Sequence, residues 1–218
     1  ATIMPLKVLN RFGMGNTADI TDAIRFAADH GAKVINMSLG SPLPDPIVAS
    51  ACTYAYKKGV AIVCAAGNSG SEGVGYPAAY PECIAVSAVG PTGDLAPYSS
   101  WGSQIAIAAP GGDKTRGEQY GILQNTVMPE DGYYFLQGTS MASPHVAATA
   151  ALIASLGITD PAEVKAILQK AAQPKSPEKK YGAGILDAYK ACDLAQGSRG
   201  SEHAKLAVSF LAGLACLG

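Results

Sequence analysis

Ser140 lies in a sequence context that could hold a nucleophile. Gly138 and Thr139 precede it, and residues 142–155 are almost all small and apolar, so we predict a helix there that is buried on all sides. Backbone N–H groups point outward from a helix N-terminus and the helix dipole favours negative charge, so an oxyanion formed beside Ser140 would be stabilised. An isolated Gly-Thr-Ser is more simply explained as a helix cap. A nucleophile at Ser140 therefore has to be supported by other motifs in the chain.

A base for Ser140 is missing from the sequence. The three histidines are His30, His145 and His203. His145 lies five residues after Ser140, which on a helix means about 7.5 Å along the axis and about 140° around it. A general base must approach to about 3 Å. We therefore predict that His145 is a helix residue and not the base.

The elements that would position Ser140 alternate between strand and helix patterns. Apolar runs of strand length alternate with segments of helical periodicity, which favours an α/β fold with a mostly parallel central sheet and helices on both faces. The predicted strands are 3–9, 34–39, 60–66, 83–89 and 104–108. The predicted helices are 17–30, 46–58, 142–155, 161–172 and 187–194, while 111–132 is predicted to be a surface excursion and 175–180 a polar loop.

Length, net charge and cysteine pattern give no support for several domains, nucleic-acid binding or a zinc site. At 218 residues one domain is the default, and the net charge of −1 gives no electrostatic reason to bind nucleic acid. The five cysteines include no C-x-x-C pair and no zinc-ligand pattern, so we predict buried free thiols, with a single disulfide left open.

Four blocks of sequence resemble one family, the subtilisin-like serine proteases (subtilases). The first runs from Gly138 to Ala147 (GTSMASPHVA) and is similar to the family's nucleophile motif. The second, 65–70 (AAGNSG), resembles its oxyanion-hole segment, and the third, 34–40 (VINMSLG), resembles its substrate-binding strand. Residues 181–188 (YGAGILDA) resemble its closing turn and helix. The likeness covers residues 3 to about 195 and implies the family's three-layer fold, with an N-terminal part lying outside this chain.

The resemblance implies a role for each matching residue. Ser140 would be the nucleophile, and Asn68 would donate its side-chain amide to the oxyanion. An extended peptide would lie between two edge strands and a roomy apolar pocket. The substrate-binding residues implied in this way are Ser38, Leu39, Gly40, Gly13, Met14, Gly15, Ala65, Ala66, Gly67, Gly75 and Thr139. Glu72 lies nearby in sequence and would add some preference for basic residues.

One departure from the family limits this interpretation. The family's catalytic aspartate and histidine stand in D-[ST]-G and H-G-T-H settings before the segment that matches Ile3, and neither pattern occurs in this sequence. We expect both in an N-terminal segment outside the chain, which would then be a partner of it. The alternative is a catalytically inactive module that binds peptides.

Two other functions, dinucleotide binding and α/β-hydrolase chemistry, fit the sequence less well. Gly13, Gly15 and Ala18 satisfy the G-x-G-x-x-A fingerprint of dinucleotide-binding proteins, but the acidic residue expected at the end of the next strand is absent. An α/β-hydrolase elbow would need glycine where Ala142 stands.

The remaining expectations concern metals, domains and location. The chemistry needs no cofactor and no metal site is predicted, although structural calcium stays open at the acidic residues of the excursion, Asp113, Glu118, Glu130 and Asp131.

We expect a peptidase domain at 1–195, then a linker and an apolar C-terminal helix at 196–218. That tail is shorter than the roughly 20 residues of a membrane span, so it is either part of a membrane tether or a helix packed on the body. A secreted or extracytoplasmic location would suit the family.

Overall fold

A four-stranded parallel sheet forms the centre of the molecule. The computed structural model describes residues 1–126 and 132–197. The strands are β1 (Val34–Met37), β2 (Ala61–Ala65), β3 (Cys83–Val89) and β4 (Ile105–Pro110), and their order in the sheet is β1-β2-β3-β4. Every neighbouring pair is parallel. Because β2 and β3 are buried along their whole length, both are apolar on both faces.

In the described part of the chain, six α-helices surround this sheet. They are α1 (Thr17–Asp29), α2 (Pro46–Lys57), α3 (Thr139–Ser155), α4 (Pro161–Ala171), α5 (Glu178–Tyr181) and α6 (Ala188–Gly197). Three of them begin at side chains that accept hydrogen bonds from the first turn, namely Asn16 for α1, Asp45 for α2 and Asp160 for α4. Pro46 and Pro161 occupy first-turn positions, where their missing N–H costs nothing.

The two larger hydrophobic clusters of the described residues lie on opposite faces of the sheet, which confirms the predicted α/β arrangement. Alternate residues of β2 separate between them: Ala61 and Val63 pack with α3, α4 and α6, while Ile62 and Cys64 pack with α1 and α2. This alternation is the period-two geometry of a strand. The fold therefore has three layers, with β1 at one edge of the described sheet.

The prediction of a buried strand at 3–9 was wrong. These residues form no strand, and Ile3 is 84 % exposed. A strand needs a hydrogen-bonded neighbour, and among the described residues β1 pairs with β2 alone. The apolar pattern of residues 3–9 therefore has no sheet to join.

Three further predictions needed correction. The helix expected from Ala142 begins three residues earlier, at Thr139, so Ser140 lies inside its first turn rather than ahead of it. The surface excursion contains regular structure: two short 3₁₀ turns, then an antiparallel hairpin of β5 (Ile122–Thr126) and β6 (Gly132–Leu136). The loop predicted at 175–180 contains most of the short helix α5.

The cysteines of the described chain are free and buried, as predicted: Cys52, Cys64, Cys83 and Cys192. A hydrogen bond with the Cys83 thiol, together with burial, raises the pKa of Cys52. For Cys83 the hydrogen bond with Cys52 lowers the pKa, but the contact with Cys64 and burial outweigh it and raise the pKa, so both thiols stay protonated. Helix α6 continues to Gly197, past the expected domain boundary, and the rest of the predicted linker and tail lies outside the described residues. Within the described ranges, no helix has the length and apolar character needed to cross a membrane.

Candidate active site

Ser140 is the second residue of α3, and Gly138 caps that helix with φ of 150°, a conformation that favours glycine. The Gly138 N–H donates to the Gly111 carbonyl at 3.0 Å and lies 3.0 Å from the Tyr98 hydroxyl oxygen. Tyr98 in turn donates to the carbonyls of Gly111 and Gly112. These bonds fix the segment that leads from the hairpin into the nucleophile.

Asn68 is oriented by the residue that precedes Ser140. Its Oδ1 accepts from the Thr139 backbone N–H at 2.9 Å and from the Thr139 hydroxyl at 3.0 Å. A backbone N–H can only donate, so the atom facing it must be the amide oxygen. Nδ2 therefore points away from Thr139, and it has no acceptor among the described residues. The Asn68 side chain is exposed to the cleft.

Two hydrogen-bond donors converge on one small space beside Gly138. A Cβ atom placed on Gly138 would lie 3.6 Å from the Ser140 backbone nitrogen and 3.7 Å from Asn68 Nδ2. Within the described chain, the Ser140 N–H makes no hydrogen bond. Two N–H donors aimed at one vacant position are the arrangement that stabilises an oxyanion. Gly138 was not among the predicted site residues, although the absence of a side chain there keeps this space open.

Ser38 ties the end of β1 to the start of α3. Pro144 has no N–H, so it cannot give the Ser140 carbonyl the usual hydrogen bond four residues along the helix. The Ser38 hydroxyl supplies this bond instead, at 2.9 Å, and also lies 2.9 Å from the Ser143 hydroxyl. A proline that would otherwise leave a carbonyl unpaired is thereby accommodated next to the nucleophile.

The Ser140 hydroxyl has no base beside it among the described residues. It donates to the Ser38 carbonyl at 3.3 Å, a long bond that an incoming base could displace. His145 is held elsewhere, since its Nδ1 lies 2.8 Å from the Met141 carbonyl one turn back on the same helix. This confirms the prediction that His145 is a helix residue and not the partner of Ser140.

A cleft of about 490 Å³ opens beside Ser140 and Asn68. It brings together most of the predicted substrate-binding residues: Ser38, Leu39, Gly40, Ala65, Ala66, Gly67, Gly75 and Thr139. Close approach explains two of the glycines. A Cβ on Gly67 would lie 3.0 Å from the Ser100 hydroxyl, and one on Gly75 would lie 3.2 Å from the Ser41 carbonyl oxygen.

Three sets of residues expected at the cleft are placed differently by the structure. Residues 13–15 do not line it; instead they form a turn closed on Asn10, and Met14 is 64 % exposed. Thr139 forms part of the wall, but its side chain is completely buried and holds Asn68 rather than facing a substrate. Glu72 is outside the lining and pairs with Lys179 at 2.8 Å, which offsets its charge.

Tyr98 is a residue of the site that the sequence analysis missed. It lies 40 residues before Gly138 and follows no recognisable motif, so only the folded chain reveals the contact. Burial raises the pKa of Tyr98 to about 12, with a smaller contribution from the charge of Asp113 and an opposing one from the Gly138 hydrogen bond. The phenol therefore stays protonated and able to donate at neutral pH.

The described residues do not support a metal centre. In residues 1–126 and 132–197 there is no group of three or more His, Cys, Asp or Glu side chains suited to holding an ion. Asp113 accepts from Thr115 at the start of a 3₁₀ turn, and Glu118 pairs with Lys114. Glu130 and Asp131, the other acids considered for calcium, lie outside the described residues.

The same fold and motifs occur in known proteases. The sequence profile of the Subtilase family (peptidase S8) matches residues 1–184. A thermophilic serine proteinase of Bacillus sp. strain AK1 is 39 % identical over 189 residues, covering 87 % of this chain and 45 % of the relative. Thermitase of Thermoactinomyces vulgaris is 37 % identical over 192 residues, covering 88 % of this chain and 65 % of the relative.

Solved structures of proteases are also similar to this chain in fold. A protease from Pseudoalteromonas arctica superposes with a TM-score of 0.80 at 34 % identity, covering 87 % of this chain and 61 % of that one. A lanthipeptide protease gives a TM-score of 0.80 at 28 % identity, covering 88 % and 70 %. The chain thus spans between 45 % and 65 % of the two curated relatives named above. A matched profile over most of its length shows that this chain belongs to the subtilase family.

Proposed function

We propose that this chain is the nucleophile-bearing part of a serine endopeptidase. Ser140 would attack the carbonyl carbon of a peptide bond, and the peptide nitrogen would leave with a proton to give an acyl-enzyme that water then hydrolyses. The Ser140 N–H and Asn68 Nδ2 would stabilise the oxyanion formed in each step. The observation that carries the proposal is the convergence of these two donors on the space beside Gly138.

The orientation of Asn68 gives the proposal its physical basis. An oxyanion hole is effective when its donors are in place before charge develops, because no reorganisation is then needed. Thr139 holds Oδ1 of Asn68 with two hydrogen bonds, which leaves Nδ2 directed at the cleft in the resting protein. Removing one such donor costs about 10²–10³ in rate; that magnitude comes from a subtilisin, a member of this same family.

The base and its orienting carboxylate would come from polypeptide outside this chain. The Ser140 hydroxyl donates to a backbone carbonyl, and His145 is held by Met141. Among the described residues, therefore, no base is placed to accept the proton of Ser140. We infer that an N-terminal segment of the same protein supplies the family's histidine and aspartate and docks on this chain. The chain alone would then hydrolyse peptides poorly.

The substrate would be an extended polypeptide lying along the cleft. Ser38, Leu39 and Gly40 follow β1 directly, where their backbone groups could pair with a substrate strand. The pocket beyond them is lined by small uncharged residues, which favours a bulky apolar side chain. The proposed chemistry needs no metal or cofactor. We propose an extracytoplasmic location, because that location is typical of the family.

Casein digestion by this chain together with its N-terminal segment tests the proposal. We expect digestion by the wild type and by a Ser155→Ala control, since Ser155 is exposed at the far end of α3. Ser140→Ala should abolish digestion. Binding of casein peptides without any digestion would instead identify an inactive peptide-binding module.

A further inference from the structure

Tyr98 belongs to a segment that runs beside the loop of Asn68. The Gly70 N–H donates to the Tyr98 carbonyl at 2.8 Å, and two residues further along, the Ser100 N–H donates to the Gly67 carbonyl at 2.9 Å. These two bonds bracket Asn68 in the chain, since Gly67 precedes it and Gly70 follows it. The backbone that carries the Asn68 amide is therefore held by Tyr98 and its neighbour.

The hydroxyl of the same tyrosine reaches the segment that carries Ser140. Its oxygen accepts from the Gly138 N–H at 3.0 Å. Its hydrogen is directed at the carbonyls of Gly111 and Gly112, whose oxygens lie 2.8 and 2.7 Å away. A phenolic hydroxyl both donates and accepts, so this one joins three backbone groups at a single point.

The Tyr98 hydroxyl has room at this point because Gly111 has no side chain. A Cβ atom on Gly111 would lie 2.9 Å from the Tyr98 hydroxyl oxygen, 2.8 Å from the Gly138 carbonyl oxygen and 2.5 Å from Ala88 Cβ. The Tyr98 ring packs against the hydrophobic cluster that includes Ala88. The phenol is thus held in one position by packing of its ring and by hydrogen bonds at its hydroxyl.

Gly138 connects this hydroxyl to the Ser140 N–H. The Gly138 N–H is held by Tyr98 and by the Gly111 carbonyl at 3.0 Å, and the Gly138 carbonyl accepts from the Met141 N–H at 2.9 Å. Within the described chain, the Ser140 N–H makes no hydrogen bond of its own. Its direction is therefore set by the backbone on either side, and Gly138 is where that backbone is anchored.

We propose that Tyr98 is a positioning residue for hydrolysis, which sets the spacing of the two oxyanion-hole donors by holding the Asn68 loop through its carbonyl and the Ser140 segment through its hydroxyl. The proposal rests on the proposed function, because it concerns the same oxyanion hole. Such donors are effective when they are in place before charge develops. Thr139 orients the Asn68 amide, whereas Tyr98 connects the two backbones. Tyr98 does not line the cleft, so it acts through the donors and not on the substrate.

Tyr98→Phe tests the proposal, because it removes the hydroxyl and keeps the ring. Tyr189→Phe is the matched control, since Tyr189 is 64 % exposed on α6. The assay is hydrolysis of a fluorogenic peptide by the chain combined with its N-terminal segment, with competent sites counted by fluorophosphonate titration. We expect Tyr98→Phe to lower kcat about 5–10-fold and to leave KM within about twofold, since one hydrogen bond that acts in the transition state is lost. The control should match the wild type. An unchanged kcat, or a raised KM with an unchanged kcat, would overturn the proposal.

Amide NMR signals separate this proposal from the proposed function. In the ¹⁵N-labelled 218-residue chain, Tyr98→Phe should shift the signals of the Ser140 backbone N–H and the Asn68 side-chain NH₂, neither of which bonds to the hydroxyl. Tyr189→Phe should leave both unchanged. Unshifted signals, or a Tyr98→Phe chain that does not fold, would contradict a positioning role. Shifted signals without hydrolysis by the wild type would uphold the connection between the donors and refute the proposed function; hydrolysis with an unchanged kcat in Tyr98→Phe would do the reverse.

Discussion

Thr139→Val isolates the contribution of a buried hydroxyl to the oxyanion hole. Thr139 is completely buried, and valine keeps its branched shape while replacing the hydroxyl by a methyl group. The substitution removes the 3.0 Å hydrogen bond to Asn68 Oδ1 and leaves the Gly67 N–H without its acceptor at 3.2 Å. The bond from the Thr139 backbone to Asn68 remains, so the amide is held less firmly but is not released.

The expected loss follows from these bonds. One hydrogen bond is worth about 1 kcal/mol net, which corresponds to roughly a fivefold change in rate. Complete removal of the donor in Asn68→Ala should cost about 10²–10³. Thr139→Val should therefore slow acylation by about 5–10-fold, between the wild type and Asn68→Ala. Its Tm should fall by about 2–4 °C, because the loss at Gly67 is also worth about 1 kcal/mol.

The assay is the rate of fluorophosphonate acylation of the chain combined with its N-terminal segment. Thr139→Ser keeps the hydroxyl and serves as the control, with a rate within about twofold of the wild type, since the net hydrogen bond is retained. A wild-type rate for Thr139→Val would show that this hydroxyl does not orient Asn68. A loss as large as that of Asn68→Ala would show that the backbone bond from Thr139 does not hold the amide. Either result would contradict the proposed division of the two bonds that orient Asn68.

Three further predictions concern residues that support the site or pack against strand β4. Ser38→Ala removes the hydrogen bond to the Ser140 carbonyl, which Pro144 cannot replace because it has no N–H. We expect the free energy of unfolding in urea to fall by about 1–3 kcal/mol. The control Ser41→Ala, at an exposed serine, should change it little. Because the folded-state pKa of Tyr98 is raised from 10.0 to about 12, its contribution to stability should be complete below pH 10.0 and lost as pH rises toward 12. Tyr98→Phe should remove that alkaline decline in the free energy of unfolding, and an unchanged pH dependence would contradict the assignment. Gly182→Ala would place a Cβ 2.3 Å from the Ala106 carbonyl carbon, so its cost in thermal unfolding should exceed the about 1–2 kcal/mol of a positive φ alone; Gly31→Ala, with φ of 84° and nothing within 4 Å, is the control and should show only that smaller cost.

The layered fold was predictable because its strands and helices carry strong local patterns. The strand at 83–89 has the predicted bounds, and the helices from 17, 46 and 161 end within one residue of their predicted positions. These elements are apolar runs or regular helical stripes bounded by glycine, proline or capping residues. The hairpin of β5 and β6 was missed because its strands are only partly buried, so their pattern resembles that of a polar loop.

The candidate site was predictable in its parts but not in its geometry. The motifs located Ser140 and Asn68, while the bonds that orient them join residues far apart in sequence. Thr139 reaches across 71 residues to Asn68, and Ser38 reaches across 102 residues to Ser140. No local pattern encodes such contacts, which is why Thr139 was predicted to bind substrate and Tyr98 was not singled out. Residues 13–15 lie outside the described cleft, where Gly13 belongs to a local turn and Gly15 packs closely against Val8.

If Ser140 is a nucleophile whose base lies in polypeptide outside this chain, its labelling must depend on that polypeptide. This dependence can be measured by mass-spectrometric mapping of fluorophosphonate adducts, with the chain alone and with its N-terminal segment compared under the same conditions. We expect a single adduct on Ser140 that forms rapidly when the segment is present and barely at all without it. An adduct on another residue, or equally fast labelling of Ser140 in the chain alone, would show that Ser140 is not such a nucleophile.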